Sequence, residues 1–395
     1  MLDYQTAGES HGPGLLSVVT GLPAGVTLDL DLINGELRRR QGGYGRGGRQ
    51  NIETDTAEFF SGVRLGQTIG APVAMFVKNK DSRLDDLERT PRVHRPRPGH
   101  ADLAGSIKWL TTDCRETLER ASARETAARV AAGSLARCML QELGITVLGF
   151  VRSIGPEASE VKVTAENAEQ IRAARDGSAT YCPDATTTER QVAFIRQAKI
   201  DKDTAGGVVE THVFGCPPGF GSSMDWRDKL DARIGFAVMG IQAFKGVEIG
   251  LGFEATRRPG SNVHDPIHFD AAGIDTPSLG FTRTSNNAGG LEGGMTNGQP
   301  IVVRGAMKPI STLLRGLPSV NLESKQPEQS QYERSDISAV SAASVVMENA
   351  VAFEVARALR SKFGGDSMTE VRLQLEAYLE AARSLPLDEP GPTIA

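Results

Sequence analysis

The chain has 395 residues, of which 39% are hydrophobic and 24% charged, and its formal net charge at pH 7 is -5. This composition is typical of a globular protein, and the length allows one large domain or two to three smaller ones. The negative charge argues against a nucleic-acid partner. The longest apolar stretches are far shorter than the roughly 20 residues that span a bilayer, which argues against a membrane partner.

The N-terminus and the cysteines favour a cytoplasmic protein. The segment MLDYQTAGES lacks the basic and apolar regions of a secretory signal. The widely spaced cysteines contain no C-x-x-C pair, which is typical of reduced thiols rather than of a disulfide framework or a zinc site. They are Cys114, Cys138, Cys182 and Cys216.

The first hundred residues predict strands, one short helix and a long irregular segment. After the polar segment GESHG, residues 14–22 predict a buried strand and residues 32–40 an amphipathic helix. Residues 56–79 predict two strands of a hairpin joined by a glycine-containing turn. Residues 79–102, rich in Arg and Pro, predict irregular structure.

Two long helices follow. Ser122 and Glu125 have the spacing of a capping box, ahead of an Ala-rich helix that Gly144 ends. An Ala- and Val-rich helix is predicted from about Ile337 to Phe363. Residues 385–395 predict a loose C-terminal tail.

Strand-like segments lie between the two helices, at residues 206–215, 243–255 and 298–307. Because strands and helices do not alternate regularly, the order favours an α+β fold over a doubly wound sheet.

Two arginine clusters stand out in a chain of negative net charge. Arginine binds phosphate and carboxylate through two parallel hydrogen bonds, so a small polyanionic ligand is favoured over a solvated basic surface or a subunit contact. The first cluster contains Arg38, Arg39, Arg40, Arg46 and Arg49, and the second contains Arg83, Arg89, Arg92, Arg95 and Arg97 with His94 and His100.

Other patterns carry less weight. GYGRGG (residues 43–48) matches G-x-G-x-x-G but follows a helical segment, so a dinucleotide site is rejected, and neither a P-loop nor a G-x-S-x-G elbow is present. The glycine-rich residues 284–298 could bring backbone amides to an anion, although a surface turn is the simpler interpretation. His264 and His268, with neighbouring aspartates, indicate an exposed loop rather than a metal site.

Ten segments, taken in order, resemble chorismate synthase from end to end. They are AGESHG, RRRQGGYGRGGR, SGVRLGQTIGAPVAM, RPGHAD, RASARETAARVAAG, DTAGGVVE, KGVEIGLGF, TSNNAGGLEGGMTNGQPI, KPIST and ERSDISAV. Ser341 and Ser311 stand where the family usually has proline, and neither change removes a charged group.

The resemblance implies a single domain over residues 1–395, built as a β-α-β sandwich with a helix layer between antiparallel sheets, and a homotetramer. It implies reduced FMN as cofactor and a 1,4-anti elimination of phosphate from 5-enolpyruvylshikimate 3-phosphate, which gives chorismate without net redox change. This is the last common step of the shikimate pathway to the aromatic amino acids. A substrate with one phosphate and two carboxylates would account for the arginine clusters.

The same resemblance assigns catalytic roles. His11 would protonate the departing phosphate, which suits a group that titrates near working pH. His100 would lie near the flavin and keep it correctly protonated. Asp336 would assist proton removal through the flavin N5. Arg40 and Arg46 would hold the anionic groups of the substrate, or NADPH in a member that uses it.

Further residues are implied as FMN contacts. The start of the helix at Ser122 and the glycine loop near Gly293 offer free backbone amides to an anionic cofactor. The full set is Arg120, Ala121, Ser122, Gln242, Ala243, Gly293, Lys308, Pro309, Ile310, Ser311, Thr312 and Arg334.

Two other classes of function stay open at this point. A flavin- or NADPH-dependent oxidoreductase would use the arginine loops to hold the nicotinamide phosphate. A non-catalytic protein binding anions or RNA is disfavoured by the acidic charge and the few aromatic residues. Since no additional nicotinamide-binding module is visible, an external reductant such as a flavin reductase is expected to supply the reduced flavin.

Overall fold

The computed structural model describes residues 1–48, 53–333 and 336–387. The helices are α1 (Leu30–Gln41), α2 (Asp102–Trp109), α3 (Arg115–Ala121), α4 (Thr126–Gln141), α5 (Ala168–Asp176), α6 (Ala185–Ile200), α7 (Leu230–Met239), α8 (Val340–Lys362) and α9 (Met368–Arg383). The longer strands are β1 (Asp3–Ala7), β2 (Gly14–Thr20), β3 (Glu58–Ser61), β6 (Val73–Lys78), β7 (Thr146–Ile154), β9 (Gly207–Phe214), β10 (Phe244–Ile249) and β15 (Ile301–Met307).

Short strands complete the set. They are β4 (Val63–Arg64), β5 (Gln67–Thr68), β8 (Glu157–Ala158), β11 (Ile267–Phe269), β12 (Phe281–Arg283), β13 (Leu291–Glu292), β14 (Met295–Thr296), β16 (Pro318–Val320) and β17 (Pro327–Gln329).

A layer of helices separates two antiparallel sheets. The first sheet has the order β1-β2-β6-β3 and the second the order β10-β15-β9-β7-β8. Between them, α4 packs on β2 and β6, while α8 packs on β7 and β9 and contacts α4 and α1. The α+β sandwich predicted from the resemblance is therefore confirmed.

Small residues allow α4 and α8 to approach closely. A Cβ atom on Gly133 of α4 would lie 2.4 Å from the backbone oxygen of Asn349 on α8. The Ser134 hydroxyl donates to Oδ1 of Asn349 at 3.0 Å, so the polar side chain at the crossing is satisfied. The alanine- and glycine-rich composition of α4 is the local cause of this close packing.

A buried cluster of ion pairs joins the helix layer. Glu348 on α8 is fully buried and pairs with Arg137 (3.3 Å), Arg175 (3.4 Å) and Arg39. Glu36 on α1 pairs with Arg137 at 2.9 Å and with Arg39 at 2.6 Å. Burial alone would raise the pKa of Glu36, but the charges of Arg137 and Arg39 outweigh it and lower that pKa well below its usual range. Charges from α1, α4, α5 and α8 thus depend on one another.

Most of the predicted elements are present, with one correction at Ser122. The two strands predicted over residues 56–79 pair as β3 and β6, with the small hairpin β4–β5 inserted between them, and residues 79–101 contain neither helix nor strand. The capping box predicted at Ser122 is wrong. The Ser122 hydroxyl caps a short 3₁₀ turn (Ala123–Glu125), and α4 begins only at Thr126.

Glu125 forms tertiary contacts instead of a capping box. Its carboxylate accepts hydrogen bonds from Thr6 (2.5 Å), from Gln242 (3.0 Å) and from Arg129 (3.0 Å). Arg129 is a local partner, one helical turn away, but Thr6 and Gln242 are more than 100 positions from Glu125, and a local sequence pattern cannot reveal them. The tail predicted from residue 385 lies outside the described residues from position 388 onward.

None of the helices described here combines the length and apolarity needed to cross a bilayer. All four cysteines are buried and free.

Replacing Glu348 by Gln should destabilise the protein strongly. The substitution keeps the shape but removes the carboxylate that offsets three buried guanidinium groups, so we expect a loss of about 3–5 kcal/mol in the free energy of unfolding. Denaturant titration followed by circular dichroism measures it. Glu169→Gln, whose carboxylate is exposed and pairs with Arg172 at the surface, is the control and should change stability by less than about 0.5 kcal/mol. Equal effects of the two substitutions would contradict a stabilising role for the cluster.

Candidate active site

A cavity of about 770 Å³ opens beside the first sheet and the start of α4. Its walls come from the turn before β2, the end of α1, the irregular segment between β6 and α2, the junction of α3 and α4, the turn before β10, and the loops that follow β15 and precede α8. Most predicted site residues meet here, although they are spread over more than 300 positions of the chain.

His11 is held by a buried carboxylate on α3. Its Nδ1 lies 2.8 Å from Oε1 of Glu119, and its backbone N–H donates to Oε2 of the same residue at 2.8 Å. The Glu119 side chain is 1% exposed and also lies 3.5 Å from Arg115. Burial would raise the pKa of Glu119, but the hydrogen bonds from His11 outweigh it and lower that pKa. The carboxylate therefore stays ionised and fixes the imidazole ring.

The opposite ring nitrogen of His11 lies on the cavity side, among charged groups. Its Nε2 is 3.4 Å from a guanidinium nitrogen of Arg83 and 3.8 Å from a carboxylate oxygen of Asp81. Because Glu119 holds Nδ1, a ligand in the cavity would meet the imidazole ring on its Nε2 side.

His100 forms a second carboxylate–histidine pair. Its Nδ1 contacts the fully buried Asp102, which also pairs with Arg97 at 2.8 Å. Arg97 in turn donates to the Thr312 hydroxyl at 2.9 Å, which ties this loop to the segment after β15. Burial would raise the pKa of Asp102, but the bonds from His100 and Arg97 lower it far below its usual range. The imidazole is thereby fixed between an anion and a cation.

Two arginines share one buried aspartate at the base of the cavity. Arg40 donates to Asp55 at 2.7 Å, and Arg124 donates to both of its oxygens at 2.8 and 2.6 Å. Burial, together with the neighbouring cations, lowers the pKa of Arg40 to about 10, although Asp55 acts in the opposite direction. Arg40 therefore remains charged at neutral pH, and both guanidinium groups are preorganised for an anion.

Asp336 and Arg46 form an ion pair at the cavity wall. Arg46 Nε lies 3.0 Å from Oδ2 of Asp336, whose Oδ1 accepts the backbone N–H of Gly47 at 2.6 Å. The proposed proton acceptor and one proposed substrate-binding arginine are thus direct neighbours.

Cations outnumber carboxylates among the described residues that line the cavity. The cations are Arg40, Arg46, Arg83, Arg89, Arg97, Arg115, Arg124 and Lys308, and the carboxylates are Glu53, Asp81, Glu333 and Asp336. Asp55, Asp102 and Glu119 offset part of this charge from behind the lining, and the cations that face the cavity favour a multiply charged anion.

Most of the residues implied as FMN contacts also line this cavity. They are Ala121, Ser122, Gln242, Ala243, Lys308, Pro309, Ile310, Ser311 and Thr312. The Gln242 amide donates to Glu125 at 3.0 Å, while its buried Oε1 has no hydrogen-bond partner among the described residues. An orphaned buried acceptor is costly unless a ligand donates to it, so the lining fits a cofactor that carries N–H groups.

Two of the implied contacts lie away from the cavity, and a third is outside the described residues. The Arg120 guanidinium donates to the backbone oxygens of Gly8 and Thr6 at 3.1 and 2.9 Å, away from the lining. Gly293 lies in the turn between β13 and β14, also apart from the cavity. Arg334, like Arg49 of the first arginine cluster, lies outside the described residues.

Sequence reasoning missed the carboxylates that orient the site. Glu119, Asp102 and Asp55 were not singled out, and neither was Arg124. Only Asp102 carried a local signal, since it follows His100 by two positions in RPGHAD. Among the described residues no group of three or more His, Cys, Asp or Glu could hold a metal ion, and His264 and His268 form no such group either.

Comparison with known proteins points to one family. A sequence profile described as chorismate synthase matches residues 2–359. The chain is 52% identical over 394 residues to chorismate synthase of Geobacter metallireducens and 51% identical over 395 residues to that of Geobacter sulfurreducens, covering 97% of this chain and all of each relative. A crystal structure of chorismate synthase, 42% identical in sequence, superposes with a TM-score of 0.80 over 97% of this chain and 98% of that one.

The Asp102 ion pairs should make stability depend on acid pH. A carboxylate whose pKa is lowered in the folded state contributes stability that is fully present above its unfolded pKa of about 4 and is lost as pH falls below it. We therefore expect the difference in melting temperature between the unmodified protein and Asp102→Asn to be constant above about pH 5 and to shrink below about pH 4. Calorimetric scans from pH 3.5 to 7 measure this difference. For the exposed Asp275→Asn control, whose carboxylate is 87% exposed, the difference should stay small throughout.

Proposed function

The chain belongs to the chorismate synthase family, and on that premise we propose that its cavity binds reduced FMN together with 5-enolpyruvylshikimate 3-phosphate. Its activity is that of the family, a lyase reaction of aromatic biosynthesis that eliminates phosphate to give chorismate. The assignment of each residue below is our proposal.

The enclosed excess of cations is the observation that carries this proposal. The substrate brings a phosphate and two carboxylates, and eight cationic side chains line the cavity against four carboxylates. Arginine pairs with both kinds of group through two parallel bonds. We assign Arg40 and Arg46 to the anionic groups of the substrate, since Arg40 is already fixed by Asp55 and Arg46 lies at the wall.

His11 is proposed as the acid that protonates the departing phosphate. The breaking C–O bond leaves its electron pair on the phosphate oxygen, and a proton delivered from Nε2 offsets the developing charge. Glu119 holds the opposite nitrogen at 2.8 Å and so aims the ring. Arg83, 3.4 Å from Nε2, is placed to stabilise the released anion.

Asp336 is proposed to assist removal of the substrate proton through the flavin N5. Its carboxylate faces the cavity and is held by Arg46 and by the Gly47 amide. His100, fixed by Asp102, is proposed to keep the cofactor correctly protonated.

Reduced FMN would supply electron density to the reaction and leave unchanged. The segment Lys308–Thr312, the pair Gln242 and Ala243, and the α3–α4 junction at Ala121 and Ser122 would hold it. The unsatisfied Gln242 Oε1 supports an N–H donor at this position. We retain as proposed contacts Arg120 and Gly293, which do not line this cavity, and Arg334, which lies outside the described residues.

Several coarser features are proposed on the same basis. They are a single domain over residues 1–395, a homotetramer, a cytoplasmic location and reduction of FMN by an external reductase. NADPH would then act as a source of electrons rather than as a ligand needed for the elimination. The alternative, an NADPH- or flavin-dependent oxidoreductase, is not favoured by the family membership.

An anaerobic assay tests the proposal directly. The protein is mixed with chemically reduced FMN and 5-enolpyruvylshikimate 3-phosphate, and the ultraviolet band of the new diene is followed together with released phosphate. Diene and phosphate should appear in equal amounts while reduced FMN is not consumed. Phosphate release without the diene, or no turnover at all, would refute it.

The same assay with NADPH and oxidised FMN tests the source of electrons. We expect no product until an external reductant or a flavin reductase is added. Product formation by the purified chain with NADPH alone would show that it reduces its own flavin.

Replacing His11 by Ala should lower kcat by about 10²- to 10⁴-fold, the range that a general acid contributes. The steady-state rate of diene formation measures the change. His264→Ala is the matched control, because His264 is exposed and lies apart from the cavity. Comparable rates for the two variants would remove His11 from the chemical step.

A further inference from the structure

A second cavity, of about 600 Å³, adjoins the catalytic one. It lies where the loop after α1 meets the C-terminal half of α6, and Arg46 and Gly47 line both cavities. One short segment of backbone therefore forms the wall between them. The residue roles proposed above leave this space unused.

Three exposed cations line the second cavity. Arg38 projects from the last turn of α1, and Arg196 and Lys199 project from successive turns of α6. Their side chains form no ion pair or hydrogen bond within residues 1–48, 53–333 and 336–387, and the described lining contains no carboxylate. A helix dipole explains a basic residue in the last turn of each helix taken singly. It does not explain why two such ends converge without a counter-charge.

The loop that forms the wall is rigidly placed. Gly43 and Gly45 have φ values of +98° and +90°, and a Cβ atom on them would lie 2.4 Å from Ser341 and 2.8 Å from Ile195. The oxygen of Gly45 accepts the Ile337 N–H at 2.8 Å. Glycine is required at both positions, by sterics as well as by φ. The cavity is consequently preformed rather than dependent on a ligand.

We propose that the second cavity binds a phosphate dianion. Two guanidinium groups and one ammonium group, coming from two helices, line one cavity, and they are the groups that bind phosphate oxygens. No carboxylate competes for them among the described lining residues. The ligand is either inorganic phosphate, which the lyase reaction would release in the adjoining cavity, or the phosphate group of a nucleotide. This binding goes beyond the proposed roles in catalysis and does not depend on them.

A fluorescence titration locates the site. Tyr44 lines the second cavity and not the catalytic one, so Tyr44→Trp places a reporter there, and inorganic phosphate should produce a saturable signal. Adding Arg196→Gln and Lys199→Gln should weaken the apparent phosphate affinity at least about tenfold, since charge-assisted bonds are lost. Adding Lys162→Gln and Lys202→Gln instead removes the same charge from exposed positions outside both cavities and should leave the affinity unchanged.

Calorimetry on protein that retains Tyr44 gives an independent readout. Phosphate bound in the catalytic cavity contributes equally to the Arg196→Gln/Lys199→Gln protein and to the Lys162→Gln/Lys202→Gln control, so their difference isolates the second site. Equal phosphate affinities of these two proteins in calorimetry overturn the proposal, whatever the elimination assay shows. In the reporter titration, ADP that displaces phosphate identifies a nucleotide ligand, whereas ADP that does not compete identifies inorganic phosphate.

Discussion

The active cavity depends on one buried carboxylate, that of Asp55. Arg40 and Arg124 come from α1 and from the turn before α4, and their positive charges would repel each other if they were buried side by side. Asp55 lies between them within 2.8 Å of each and is itself 1% exposed. Burial would raise the pKa of Asp55, yet the two guanidinium groups lower it, so it stays charged. The ion triad fixes the two guanidinium groups in place before a ligand arrives, so that binding requires little reorganisation of these side chains.

The same principle places both histidines. Each imidazole meets a buried carboxylate through Nδ1, His11 at Glu119 and His100 at Asp102. A buried carboxylate that stays ionised orients the ring and selects which nitrogen carries the proton. At each of these positions a buried carboxylate holds a histidine or an arginine from behind, and the held side chain lies at the cavity wall.

Helix α1 distributes three consecutive arginines among three environments. Arg39 enters the buried ion cluster of the helix layer, Arg40 reaches the base of the catalytic cavity, and Arg38 faces the second cavity. Successive residues of an α-helix point about 100° apart, which is why neighbours in sequence serve different surfaces. One turn of helix thus contributes to the buried ion cluster, to the proposed substrate site and to the proposed phosphate site.

The sequence by itself determined part of the fold and the chemical character of the site. Periodicity and glycine positions predicted α1, α4, α8 and the strands β2, β3, β6, β9, β10 and β15, and the matched segments identified the family, because these signals are local or survive in short motifs. The helices α2, α3, α5, α6, α7 and α9 and the strands β1 and β7 were not predicted. The tertiary structure alone decided the pairings. Glu119 lies 108 positions from His11. Glu125 accepts hydrogen bonds from Thr6 and Gln242, both distant in sequence, instead of forming the predicted capping box. The local sequence around a carboxylate does not identify its ion-pair partner, because the pairing depends on how sheets and helices bring remote segments together.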